Sequence, residues 1–242
     1  MNSSELRTAS DLISKASRVV SFSGAGLSAE SGVATFRDAN TQGVWTKFDP
    51  MKLASPQGFQ DDPKLVIDWY ADRRRYVAQA QPNAAHVALA SRGEMQHITQ
   101  NVDDLLIRAG VDPDILIQLH GTIASDHCHD LCGYEEAINL SDPPSLHACP
   151  RCGGSMRPSV VWFGESLLPE AWNKAEQACI ECDVLLVIGT SAEVYPAAGL
   201  LDLSKSNGAT IIIVNTESSG ASHLADLELT GNAGEIIPHL LR

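Results

Sequence analysis

Apolar residues recur along this chain in two rhythms. Short, mostly apolar runs at 19–22, 97–101, 115–121, 160–165, 184–191 and 211–215, with a weaker one at 227–229, are bounded by glycine or polar residues and predict buried strands. Between them the spacing changes to the helical period. Residues 63–81 predict a helix opened by Asp61-Asp62-Pro63 and stopped before Pro82, residues 83–92 a second, and residues 169–181 a third opened by Pro169. An N-terminal amphipathic helix turns Leu6, Leu12 and Ile13 inward, and a C-terminal helix follows Gly231-Asn232-Ala233. Strands alternating with helices predict an α/β fold with a doubly wound parallel sheet. Residues 38–60 keep neither rhythm and are punctuated by Gly43, Pro50, Pro56 and Gly58, which predicts a long irregular loop of the lid or binding kind.

The most informative turn is the first. Residues 19–37 read VVSFSGAGLSAESGVATFR, a strand breaking into Gly24-Ala25-Gly26 and then a helix start. Gly24 and Gly26 permit a sharp turn and close approach of a ligand, Ala29 fills the close-packing third position, and either Ser28 or Glu30 is available to cap a helix facing a pyrophosphate. Gly32, Phe36 and Arg37 then follow as a second cluster of turn and anion-binding residues where a plain dinucleotide loop continues as helix. In a parallel sheet, strand ends meet at the ligand edge. That rule brings Asn101 and Asp103, after the strand at 97–101, and His120, at the end of the strand at 115–121, toward the Gly24 loop.

Bulk properties narrow the function. The 242 residues carry a formal charge of −13, which opposes a broad nucleic-acid surface and favours basic partners such as lysine-rich protein segments. No run approaches the ~20 apolar residues of a membrane span, and the N-terminus lacks a signal-peptide core, so a cytoplasmic chain is expected. Six cysteines in a reducing compartment favour metal over disulfides. Residues 126–156 hold four of them in two pairs, Cys128 with Cys132 and Cys149 with Cys152, separated by 16 residues, a spacing that suits a zinc ribbon. The first pair is C-x3-C, so either Cys128 ligates through a distorted knuckle or His129 replaces it, with four cysteines favoured. A closed four-thiolate site is structural. Cys179 and Cys182 read as small buried residues at a helix end.

Taken in order, GAGLSAESG with TFR, TQNVDDL, LHG, the cysteine pairs, RPSVVWFGE, GTSAEVYPA and VNTE resemble the sirtuins, the NAD-dependent protein lysine deacylases, over nearly the whole chain. The resemblance implies a Rossmann-like NAD-binding domain made of residues 1–37, 83–125 and 157–242, a helical cofactor-loop insertion at 38–82 and a zinc-binding module at 126–156. It implies an NAD pocket of Gly24, Ala25, Gly26, Ala29, Phe36, Arg37, Gln100, Asn101, Asp103, Gly189, Thr190, Ser191, Asn215 and Ala233, with Thr216 and Glu217 closing it. His120 matches the general base, while Asn101 and Asp103 match the nicotinamide pocket. Val161, Trp162, Phe163 and Gly164 match the strand that clamps an acyl-lysine peptide by strand addition and walls its tunnel. The implied reaction consumes NAD and yields nicotinamide, free lysine and O-acyl-ADP-ribose. Ala54, Tyr70 and Arg73 resemble the branch that removes succinyl and malonyl groups, since a small residue widens the pocket and Tyr with Arg bind a distal carboxylate. The competing readings are a deacetylase without acidic-acyl preference, a protein mono-ADP-ribosyltransferase and a non-catalytic NAD-sensing module. Acyl-lysine proteins, no specific nucleic acid, no membrane and a monomeric state complete the expectation.

Overall fold

A computed structural model describes residues 3–33 and 49–242. Its centre is a six-stranded parallel sheet ordered β3-β2-β1-β7-β8-β9. The strands are β1 (Val19–Ser23), β2 (Gln96–Thr99), β3 (Leu116–Gln118), β7 (Val184–Ile188), β8 (Thr210–Asn215) and β9 (Leu227–Thr230). The chain runs outward from β1 to β3 on one side and from β7 to β9 on the other. The β1/β7 seam is therefore the topological switch point, where the helices leave for opposite faces and open a crevice.

The unbroken apolar run of β7 follows from burial on both faces. Val184, Leu186 and Ile188 join one core cluster with Ile13 of α1 (Ser3–Lys15), Leu89 of α6 (Ala84–Ala90) and Ile237 of α10 (Ala233–Leu240). Leu185 and Val187 join the other, with Ala178 of α8 (Pro169–Glu181) and Leu200 of α9 (Gly199–Ser206). Leu6 and Leu12 pack beside Ile13, as the amphipathic pattern predicts. Cys179 and Cys182 are buried at the end of α8.

A smaller lobe is inserted beside this sheet. Two short helices, α3 (Pro50–Leu53) and α4 (Pro56–Asp61), lead into α5 (Pro63–Gln79). Residues 50–61 thus correct the expectation of an irregular loop. Asp49, Ser55 and Asp62 each cap the helix they precede, and a proline occupies each first turn, so the residues read as loop punctuation are helix starts. The rest of that predicted loop, 38–48, lies outside the described residues. Helix α5 ends where the Arg108 guanidinium takes the Val77 and Ala80 carbonyls.

A three-stranded antiparallel sheet ordered β5-β4-β6 carries the cysteine module, with β4 (Gly121–Cys128), β5 (Glu135–Ala137) and β6 (Met156–Val160). Arg74 of α5 and Asp126 of β4 form an ion pair with both side chains almost wholly buried, and Arg74 also donates to the Ile123 and Ser125 carbonyls. Truncating one partner of such a pair costs about 3–5 kcal/mol because the other is left buried and unpaired. The pair thereby fixes α5 against the small sheet. The strand expected at 160–165 ends at Val160, and the chain then turns.

The switch point is closed by backbone contact. The Gly24 amide donates to the Ile188 carbonyl (3.0 Å) and the Gly26 amide to the Gly189 carbonyl (2.8 Å). A Cβ on Gly26 would lie 2.7 Å from the Gly189 Cα, and Gly189 itself has φ +56. Gly26→Ala is expected to destabilise the protein by at least about 2 kcal/mol through this overlap. Gly93→Ala, at a position with open space, is expected to be neutral. Urea denaturation of the two variants checks the contrast.

Candidate active site and metal centre

The β1 turn leads into α2 (Gly26–Ala29), and its side chains do not cap it. Ser28 is buried inside the turn, where its hydroxyl donates to Asp103 Oδ2 (2.9 Å) and accepts from Asn101 Nδ2 (3.2 Å). Glu30 reaches away and accepts the Gly234 amide at the start of α10 (2.7 Å). Both results correct the expected capping roles. The Asn101 amide also donates to the Gly24 carbonyl (3.0 Å), so both its N–H bonds are used at the β1 turn.

Thr190 ties the neighbouring strand ends together. Its hydroxyl accepts from Gln100 Nε2 (2.9 Å) and from the Ala192 amide (3.1 Å), and its carbonyl accepts from Asn215 Nδ2 (3.1 Å). Gly24, Gln100, Asn101, Asp103, Gly189, Thr190, Ser191 and Asn215 therefore follow the carboxyl ends of β1, β2, β7 and β8 at one crevice. Ala25, Gly26 and Ser191 are half-buried there, Ala29 is exposed, and Ala233 is buried at the start of α10. Thr216 and Glu217 are exposed beyond Asn215, whose side-chain oxygen accepts the Thr216 amide. Phe36 and Arg37 lie outside the described residues. Half-buried backbone amides and amide side chains at a switch point are the donor set a dinucleotide needs.

His120 stands between two sides of this region. Its Nδ1 lies 2.9 Å from the Gln100 carbonyl. A carbonyl only accepts, so Nδ1 carries the proton and Nε2 holds the free lone pair in the neutral ring. Burial pushes the His120 pKa below its usual value, with the Gln100 contact opposing. The neutral, proton-accepting form therefore prevails at pH 7. The His120 carbonyl accepts the Val161 amide (2.9 Å), which ties the residue to the 161–165 segment. Burial raises the Asp103 carboxyl pKa, opposed by the Leu105 amide, the Ser28 hydroxyl and the Arg73 charge.

The 161–165 segment corrects the strand expected there. It is a turn in which the Glu165 amide donates to the Trp162 carbonyl and the Phe163 amide to the Ala54 carbonyl (2.8 Å). Trp162 is buried and its indole N–H donates to the Tyr70 hydroxyl (2.9 Å). Ala54, Tyr70 and Trp162 share one core cluster with Phe59 and Trp69. Tyr70 is buried, with its pKa pushed up to about 12 by desolvation, so it remains protonated. Arg73, one turn further on α5, is half-buried with its guanidinium 5.2 Å from the centre of the Trp69 ring. Its charge acts on both Tyr70 and Asp103. Tyr70 and Arg73 thus face the interior of the lobe, not an exposed helix surface.

Sequence reasoning did not single out Arg157 or Asn83. Asn83 caps α6 and receives His86 in a capping box, and His86 Nε2 reaches Ser28 at 3.5 Å. The signal was an Asn three residues before a side chain able to return a bond.

The sulfur atoms of Cys128, Cys132, Cys149 and Cys152 all lie within 4.8 Å of one another. A tetrahedral zinc with Zn–S bonds of about 2.3 Å sets sulfur spacings of roughly 3.8 Å, so the four fit one ion. His129 instead packs on Phe59, with ring centres 5.0 Å apart. The set is closed, which suits a structural role.

Fold and site together define a dinucleotide-binding α/β protein with an attached thiolate metal centre. The chain belongs to the Sir2 family, which its residues 24–196 match. It is 46% identical to an NAD-dependent protein deacylase of Ralstonia nicotianae over 95% of this chain and 93% of that protein. A Sir2 homologue solved with ADP-ribose superposes with a TM-score of 0.90 at 39% identity, covering 100% of this chain and 96% of the other. A Sir2 protein bound to a myristoylated histone peptide gives a TM-score of 0.79 at 30% identity, covering 99% and 96%. Among the described residues no helix is long and apolar enough to cross a membrane.

The purified protein is expected to hold about one zinc per chain. Cys128→Ser should lose the metal and lower the melting temperature, while His129→Ala should keep it; metal analysis of both variants decides between the two ligand sets.

Proposed function

We propose that this chain is an NAD-dependent protein lysine deacylase that accepts acyl groups ending in a carboxylate. The observation that carries the first half is the double attachment of His120. Its side chain is oriented by Gln100, at the dinucleotide edge, and its carbonyl is bonded to Val161, in the segment that resembles the peptide clamp. A neutral imidazole with Nε2 free is poised to take a proton from a hydroxyl placed between those two sides. Bound NAD supplies an ADP-ribose acceptor whose nicotinamide departs.

Within that scheme Gly24, Ala25, Gly26, Ala29, Thr190, Ser191, Asn215, Thr216, Glu217 and Ala233 hold the dinucleotide, together with Phe36 and Arg37. Asn101 presents its side-chain oxygen and Asp103 its carboxyl to the nicotinamide amide. The exposed Phe163 and Gly164 offer backbone to an extended acyl-lysine peptide. His120→Ala should abolish acyl-peptide-dependent nicotinamide release while NAD binding persists. In the wild type, kcat/KM should fall as pH drops through a pKa below 6.5, because protonation removes the accepting lone pair. A flat acid limb in the pH profile overturns the assignment of His120.

The acyl preference rests on Tyr70 and Arg73. Since Tyr70 accepts from Trp162 and stays protonated, its own O–H is available to donate, and Arg73 adds a charge on the same helix face. A charge-assisted contact to a distal carboxylate contributes about 1.5–3 kcal/mol, or about 10-fold to 150-fold in kcat/KM. Matched succinyl and acetyl peptides should therefore differ by that factor in the wild type. Arg73→Met should collapse the difference, and a preference for acetyl unchanged by the substitution would refute the acidic-acyl reading.

A further inference from the structure

Arg157 and Glu165 open and close the RPSVVWFGE stretch, yet no role has been assigned to either side chain. Arg157 lies on β6 with its side chain 5% exposed, and Glu165 closes the following turn at 23%. The Arg157 guanidinium makes three contacts around that turn. It pairs with Glu165 Oε1 (2.5 Å), donates to the Val160 carbonyl (3.2 Å) and lies over the Trp162 ring, its central carbon 4.0 Å from the ring centre. Glu165 uses its other oxygen to accept the Trp162 amide (2.8 Å). The two charged residues thus grip Trp162 from backbone and from ring, while its indole N–H is held on Tyr70.

A buried ion pair is poor evidence of stabilisation, because apolar residues of like volume in its place are often as stable or more so. Here the pair is also incompletely satisfied, since Arg157 Nε is buried without a hydrogen-bond partner among the described residues. Such a group is retained where geometry matters more than stability. The geometry it fixes is specific. With Trp162 held inward, the next residues, Phe163 and Gly164, turn outward. The Tyr70 hydroxyl accepts the indole N–H, an arrangement that turns its own O–H away from the Trp162 nitrogen.

We propose that Arg157 and Glu165 are positioning residues of the acyl-peptide site. Their ion pair closes the 160–165 turn, sets the exposed edge that receives the peptide and orients Tyr70 through Trp162. Neither touches NAD or the reacting atoms. The inference rests on the deacylase reading above.

The test is steady-state kinetics with an acyl-lysine peptide and NAD varied separately, on Arg157→Met, Arg157→Lys and Glu165→Gln, with melting temperatures alongside. Arg157→Met and Glu165→Gln should each raise the peptide KM about tenfold, leaving the NAD KM within about twofold. The double substitution should be little worse than either single one, since the two act as a unit. Arg157→Lys keeps the charge without the fork and should fall between wild type and Arg157→Met. If Arg157→Met does not fold, Glu165→Gln carries the test, because Gln still accepts the Trp162 amide. A lowered melting temperature with an unchanged peptide KM, or equal rises in both KM values, overturns the positioning role. A wild-type protein that releases no nicotinamide with any acyl peptide instead overturns the deacylase reading and this inference with it.

Discussion

The contact between Gly24-Ala25-Gly26 and Gly189 is the constraint on which the site depends. Two backbones pass so closely there that no Cβ fits on Gly24, Gly26 or Gly189, and two amide-to-carbonyl bonds join them. On the other side of β1, Asn101 reaches the Gly24 carbonyl while also holding Ser28. Ser28 in turn orients Asp103. The glycines thus do more than leave room for a ligand. They bring the ends of β1, β2 and β7 within one hydrogen-bond network, so the polar groups of the crevice are positioned by the protein's own bonds.

That network is held against the cost of burial. Burial shifts His120 and Asp103 in opposite directions along the pH scale, both toward their neutral forms. For His120 neutrality is the competent state of a base. For Asp103 the Ser28 hydroxyl, the Leu105 amide and the Arg73 charge oppose the trend. The Arg73 charge therefore acts on Asp103 as well as on Tyr70. The two halves of the proposed site share an electrostatic environment although they belong to different elements.

The sequence makes the parallel sheet, the β1 turn, the convergence of strand ends and the four cysteines legible, because each depends on local pattern: apolar runs, glycine spacing and paired thiols. Residues 160–165 mislead because Val160, Val161, Trp162 and Phe163 form an apolar run that periodicity cannot tell from a strand. What makes it a turn is Glu165 returning to the Trp162 amide and Arg157 lying across the ring, which are contacts of tertiary origin. Residues 50–61 mislead for the opposite reason. Their prolines and glycine look like loop punctuation, yet Asp49 and Ser55 supply the caps that let such short helices start. Ser28 looks like a cap and is instead an interior hub, a distinction only the position of Asp103 reveals.

The cysteine module bears on the lobe that holds Tyr70 and Trp162 through one line of rings. His129, next to Cys128, packs on Phe59, Phe59 packs on Trp162 at 5.4 Å, and Trp162 bonds to Tyr70. The Arg74–Asp126 pair fixes α5, which carries Tyr70, to β4, which carries Cys128. A four-thiolate centre has no open position for chemistry. Its contribution is to fix the end of β4 and hence the floor on which Phe59 and Trp162 rest. The small sheet is thus a template for the lobe proposed to receive the acyl group, as the parallel sheet is for the dinucleotide crevice, and His120, leading from β3 into β4, lies where the two templates join.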